Sequence, residues 1–247
     1  MKQNKNSGRL RLSDKAYTQI RELIVSMQLR PGEQVEENVL EQRLSIGRTP
    51  IREALQRLAT DGLLDHVPGR GLFVRPISID DVKSLFEAMT ALEQVIVQLT
   101  TQRIRPKEID QLAKITQQHK KALADRDYLK ATYLNIALHQ GFCEAARNSF
   151  LLQAMKGLHH QSERLAYLTY TNEACPVGAE DFDELAIDDH ERLLDCFRTG
   201  NAAGAVEIIT DHCRRFFLRV CHYMEPRASL IIPQIQNDLM DVVTSEP

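Results

Sequence analysis

Gly47-Arg48-Thr49-Pro50-Ile51-Arg52-Glu53-Ala54-Leu55-Gln56-Arg57-Leu58 is the stretch on which the reading of the fold turns. Ile51, Leu55 and Leu58 recur at three- and four-residue spacing and give it a buried side, while Arg48 and Arg52 lie one turn apart and point the same way. Pro50 suits a first helical turn, where a missing N–H leaves no bond unmade. A guanidinium at a helix start reaches a guanine edge, and Thr49 and nearby amides bond phosphate at the positive helix end. Arginine pairs are also common on solvated helices, so the flanking sequence has to decide.

Upstream, Glu36 to Leu44 predicts a short helix, and Ser45-Ile46-Gly47 a tight turn into the arginine helix, which runs to Asp61. Before these, Ser13 is read as the N-cap of a helix with an apolar stripe at Ala16, Tyr17, Ile20, Leu23, Ile24 and Met27, ended by Arg30-Pro31-Gly32. Downstream, Leu63-Leu64 and Leu72-Phe73-Val74 flank Val67-Pro68-Gly69-Arg70-Gly71 and predict a two-stranded hairpin. Gly69, Arg70 and Gly71 place a basic side chain on its tip, suited to a minor groove or a phosphate. Residues 1–76 thus read as a winged helix-turn-helix: three helices plus a small β-hairpin, preceded by a polar, basic arm over residues 1–11 that reads as disordered.

Charge supports this division. Residues 1–76 hold 13 Lys and Arg against 9 Asp and Glu, net +4, and the remainder 18 against 25, net −7. The phosphate-binding end is the first. With 43% hydrophobic and 26% charged residues, 247 residues suffice for two cores. No apolar run is long enough for a bilayer span, and the start lacks a signal peptide, so the expected location is cytoplasmic. The five cysteines show no CxxC spacing and read as reduced thiols.

Residues 77–247 read as an all-helical bundle of six to seven helices, making the whole chain mainly α. Ser78 or Asp80 caps the first helix and Pro106 opens the second; further helices are predicted over 127–146, 149–170, 182–199 and 201–224. Thr171 to Asp181 reads as a mobile loop, and an apolar patch stands at Leu230-Ile231-Ile232. Asn135 and His139, four apart, and His190 and His212 on two other helices all lie on apolar faces. A single such histidine is more often satisfied by a carbonyl; three on separate helices, with one amide oxygen, make an N,N,N,O set suited to zinc or nickel. His66, His119, His159, His160 and His222 are assigned to surface or ordinary packing. Asp189 and Glu191, beside His190, are expected to face solvent.

LEQRLSIGRTPIREALQRLATDGLL resembles the helix-turn-helix of the GntR family of bacterial regulators, and PGRGLFV its wing. The branch named after FadR is the nearer likeness. The resemblance implies DNA contacts from Arg48, Thr49, Arg52, Arg70 and Gly71; Asn38 stands where the family often has a basic residue. Asn135-x3-His139, Asp189-His190-Glu191-Arg192-Leu193-Leu194 and His212 are similar to that branch's FCD-type effector domain, which commonly binds a metal, with aspartate more usual at position 135. Its effectors are typically small carboxylates held by a metal and an arginine. Met89 replaces a frequent arginine, so Arg164, Arg215 and Arg219 are the candidate effector-binding substitutes. The resemblance implies a homodimeric repressor that binds operator DNA under the control of an organic acid, and no enzyme. A metal-ion sensor is the alternative. A metal-dependent hydrolase is the third reading, and the sequence offers it no convincing general base.

Overall fold

The computed structural model describes residues 12–171 and 179–224, with side chains omitted at 179–181. The expected arm at 1–11, most of the expected loop and the patch at 230–232 lie outside the described residues. The chain forms two compact units, 1–76 and 77–247.

In the first unit, α1 (Leu12–Val25) buries Ala16, Ile20, Leu23 and Ile24, the predicted stripe, although Ser13 lies inside the helix and not at its cap. A two-residue strand, β1 (Gln34–Val35), precedes α2 (Glu37–Leu44) and α3 (Arg48–Thr60), and the wing follows as β2 (Leu64–Val67) and β3 (Gly71–Val74). The order β1-β3-β2, antiparallel throughout, makes a three-stranded sheet where the sequence predicted only the hairpin. Gln34 pairs with Phe73 and Val35 with Leu72. Gly69 (φ 74°) and Gly71 (φ 98°) bracket the wing turn in the left-handed region that favours glycine. The turn between α2 and α3 carries its left-handed residue on Ser45 (φ 54°), after which Ile46 tucks into a core with Leu40, Ile51, Leu55 and Leu58.

The second unit holds, among the described residues, six helices: α4 (Ile79–Arg103), α5 (Pro106–Ala124), α6 (Tyr128–Ala145), α7 (Ser149–Thr171), α8 (Ala179–Thr199) and α9 (Ala202–Met224). Ser78 caps α4 in a reciprocal box, its hydroxyl accepting from the Asp81 N–H at 3.0 Å. Helix α4 packs on α9, α5 on α6 and α8, and α8 also on α9. Phe86 meets Phe216 and Phe217 edge-on, at 5.0 and 5.3 Å between ring centres, and Phe142 meets Phe197. Gly141 lets α5 approach α6: a Cβ there would stand 2.4 Å from Leu112 Cδ2. Cys143 and Cys213 belong to this core, and burial pushes both thiols up. No described helix is long and apolar enough to cross a membrane.

Candidate functional site

The inward side of α3 is fixed by burial of Ile51, Ala54, Leu55 and Leu58, and this leaves Arg48 and Arg52 with side chains 66% and 58% exposed. Thr49, Gly69, Arg70 and Gly71 are exposed as well, and Pro50 is half-buried. The two arginines share one counter-ion that sequence reading missed. From the first turn of α2, Glu37 accepts from Arg48 Nε at 3.1 Å with one oxygen and from Arg52 Nε at 2.9 Å with the other. The Arg52 hydrogen bond, helped by Arg48 and opposed by partial burial, holds the Glu37 carboxyl below its usual range. At the wing tip the Arg70 guanidinium lies over the Phe73 ring at 5.2 Å, and its carbonyl accepts from Gln34 Nε2 at 2.8 Å. The short β1 thereby anchors the wing.

In the helical unit, α6, α8 and α9 deliver His139, His190 and His212 to one point, with a nitrogen of each lying within 4.8 Å of the others. All three are buried. His139 Nδ1 lies 2.9 Å from Glu93 Oε1 and His212 Nδ1 3.2 Å from Asp189 Oδ2, so in both rings Nε2 remains for a ligand. Both nitrogens of the wholly buried His190 lack a hydrogen-bond partner among the described residues. Such orphaned polar atoms are costly, and a bound ion would satisfy one of the two. Burial, with neighbouring imidazoles, lowers His190 far below the ordinary imidazole value; burial also lowers His212, against the opposing Asp189 bond. Both rings are thus neutral near pH 7, as metal ligation requires. Burial raises Glu93, but His139 and His159 outweigh it and hold the carboxyl at about 2. Three imidazoles backed by two carboxylates fit a divalent transition ion, with Glu93 and Asp189 orienting the rings.

Beside the cluster lies a cavity of about 40 Å³, lined by Asn135, Asp189, His212, Arg215 and Arg219 and walled by Tyr170, Phe182 and Phe216. Arg215 Nη2 bonds Asp189 Oδ2, the same oxygen that bonds His212. Arg219 bonds Asp183 through Nη1 and donates to the Thr169 carbonyl at 2.7 Å through Nη2. Arg164 is 0% exposed on α7 and does not line this cavity. Met89 is a core residue.

The sequence profile of the FCD domain matches residues 84–215, more than half of the chain, and that of the bacterial regulatory proteins of the gntR family matches 12–74. The chain is a GntR-family regulator with an FCD domain. The Nta operon transcriptional regulator of Aminobacter aminovorans is 40% identical over 87 residues, 35% of this chain and 41% of that one. The HTH-type transcriptional repressor RspR of Escherichia coli K12 is 21% identical over 201 residues, covering 81% and 85% of the two chains. The solved structure of E. coli McbR/YncC superposes with a TM-score of 0.75 over 87% of this chain and all of that one, at 17% identity, which bears on the fold alone.

For this GntR-family protein the hydrolase reading lapses, because the family and these relatives are regulators. One expectation for the FCD domain needs correction. Asp189 does not face solvent: it is 1% exposed, because α8 is sandwiched between α5 and α9 and so buries two adjoining faces. His119, His159 and His160, assigned to surface or ordinary packing, are buried. His119 stacks beside His190 at 5.7 Å and its Nε2 lies 3.3 Å from the Tyr170 hydroxyl, while His159 Nε2 lies 3.9 Å from Glu93. Glu93, four residues after Met89 on an apolar face of α4, had the signal of a buried acid in search of a partner.

Proposed function

We propose that this regulator acts in the cytoplasm as a homodimeric repressor, placing two α3 helices in successive major grooves of a near-palindromic operator, and that an organic acid bound beside a metal in the FCD domain relieves repression. The reading rests on one observation: three buried imidazoles from three helices, one with neither nitrogen satisfied, stand beside a cavity walled by Arg215 and Arg219. His139, His190 and His212 would hold zinc or nickel, joined by the Asn135 amide oxygen; a neutral amide would lower the charge of the site relative to a carboxylate. Such an ion would supply Lewis-acid attraction for a carboxylate oxygen of the effector. Arg215 and Arg219 neutralise and orient the acid's remaining charge. An acid that binds the DNA-incompetent state more tightly weakens operator binding by linkage, and the repressor name of RspR supports repression as the basal role.

Anisotropy titrations on duplexes from the DNA flanking the protein's own gene test the proposal, using zinc-loaded protein and a panel of small acids. Specific binding that one class of acid weakens is the expected result; specific binding indifferent to every acid but dependent on zinc would leave the ion as the signal. The present cavity, at about 40 Å³, has room for only a few waters and is what favours that second reading. A thermal melt with chelator and with zinc settles occupancy, since a ligand of the native state raises its melting temperature.

A further inference from the structure

Along α9 the polar residues facing the cavity are His212, Arg215 and Arg219, at intervals of three and four, so they stack as a ladder on one helical face. Its ends are about 10 Å apart at 1.5 Å per residue. A cation stands at each step beyond the metal ligand, and each already holds a carboxylate of the chain itself: Asp189 on Arg215 and Asp183 on Arg219. The far step is the more telling. Arg219 is 8% exposed, its Nε lacks a hydrogen-bond partner among the described residues, and its guanidinium lies between Tyr170 and Phe182 at 5.6 and 5.8 Å from the ring centres. That is a built carboxylate site with one donor still unused, and Asp183 occupies it. The residue that occupies it also lines a wide groove of about 760 Å³, bordered by Lys120, Arg126 and Glu191.

Resting on the organic-acid reading above, we infer that Asp183 is an internal pseudo-ligand that holds the far end of the effector site closed, and that the true effector is a dicarboxylate, one end at the histidine cluster and the other displacing Asp183 from Arg219. The exchange replaces one carboxylate by another on a buried guanidinium, so Arg219 is never left without a counter-charge, the arrangement that would be most costly. Withdrawal of Asp183 opens the small cavity into the groove and makes room for a ligand that the closed cavity cannot hold. A monocarboxylate reaches the histidine end only and has no means of displacing Asp183.

Calorimetry on the zinc-loaded full chain tests this with succinate, glutarate and adipate against butyrate, pentanoate and hexanoate. At least one diacid is expected to bind more tightly than its monoacid partner. In Asp183→Asn that diacid gains about tenfold, the closed population being a tax on affinity that the substitution removes, while monoacid and zinc affinities stay put. Asp183→Glu, which keeps the charge, is expected to stay near wild type. Arg219→Gln brings the diacid down to the affinity of the monoacid, and this variant serves even if Asp183→Asn does not fold. Equal binding of diacids and monoacids, or a diacid affinity indifferent to both substitutions, overturns the pseudo-ligand and leaves the organic-acid reading standing. Tight zinc binding with no response to any acid in any variant removes that reading, and this inference with it.

Discussion

At the scale of single residues, Arg48 and Arg52 do their work while tied to an acid. Glu37 sits between them, and exposed ion pairs are worth only about 0–1 kcal/mol, whereas a good bidentate contact to a base is worth about 1–3 kcal/mol of discrimination. In the proposed operator complex a base edge would take the guanidinium from Glu37, which pairs with both side chains in the free chain. Arg48→Ala or Arg52→Ala is expected to abolish specific operator binding with the fold intact, whereas Glu37→Gln should narrow the gap between specific and random duplex without abolishing either; competition anisotropy at fixed salt reads both. His190 gives the opposite kind of prediction. Its two unsatisfied nitrogens cost about 1–3 kcal/mol each, of which a metal would relieve one, so His190→Phe should raise the melting temperature of chelated protein and erase the upward shift expected of the wild type with zinc. The arginines were legible because helical spacing shows which side they take. Glu37 was not: an acid in a short helix reads as solvated until the crossing of α2 over α3 is known. His190 and His212 were legible, but Asp189, the partner of His212, was not, since a one-residue step from His190 around a helix normally leaves the core.

At the scale of elements, helix endings separate what pattern reveals from what it hides. The six described helices of the second unit follow the predicted spans closely because long apolar stripes at a 3.6 period overdetermine them. β1 was missed because two residues carry no alternation, and its pairing with β3 comes from the tertiary fold. Met27, Ser45, Arg126 and Arg147 adopt left-handed conformations just past helix ends, where glycine is usual and sequence gave no warning. Ser45, at φ 54°, is exposed and makes the turn into the recognition helix. Ser45→Gly removes that strain at some cost in unfolded-chain entropy, and the net gain should be below about 1 kcal/mol. A melting temperature raised by a degree or two, with operator affinity unchanged, is the expected outcome; a fall would mean that Ser45 holds the turn through its side chain.

At the scale of the whole molecule, the buried imidazoles couple stability to pH. Burial, reinforced by His139 and His212, holds His119 at about 3 in the folded chain against an ordinary value of 6.5. The unfolded chain takes up a proton below 6.5 that the folded chain refuses, so this contribution is whole above pH 6.5 and is lost as pH falls toward 3. By pH 5 the loss from His119 is about 2 kcal/mol. Urea unfolding of metal-free protein at pH 7 and pH 5 should show the decline, and His119→Phe should flatten it; a slope unchanged in the variant would place the titration elsewhere. Division into two units was foreshadowed by Pro76 and the reversal of charge sign, but no local pattern places His119 against His190, because α5 and α8 meet only through the topology of the bundle. One oxygen of Asp189 serves both His212 and Arg215. Whatever draws the guanidinium aside would return electron density to the imidazole and make it a stronger donor, so under the proposed function zinc and anion would be heterotropic partners, each raising the other's affinity, and a cell rich in the acid would keep its regulator metallated under chelator challenge.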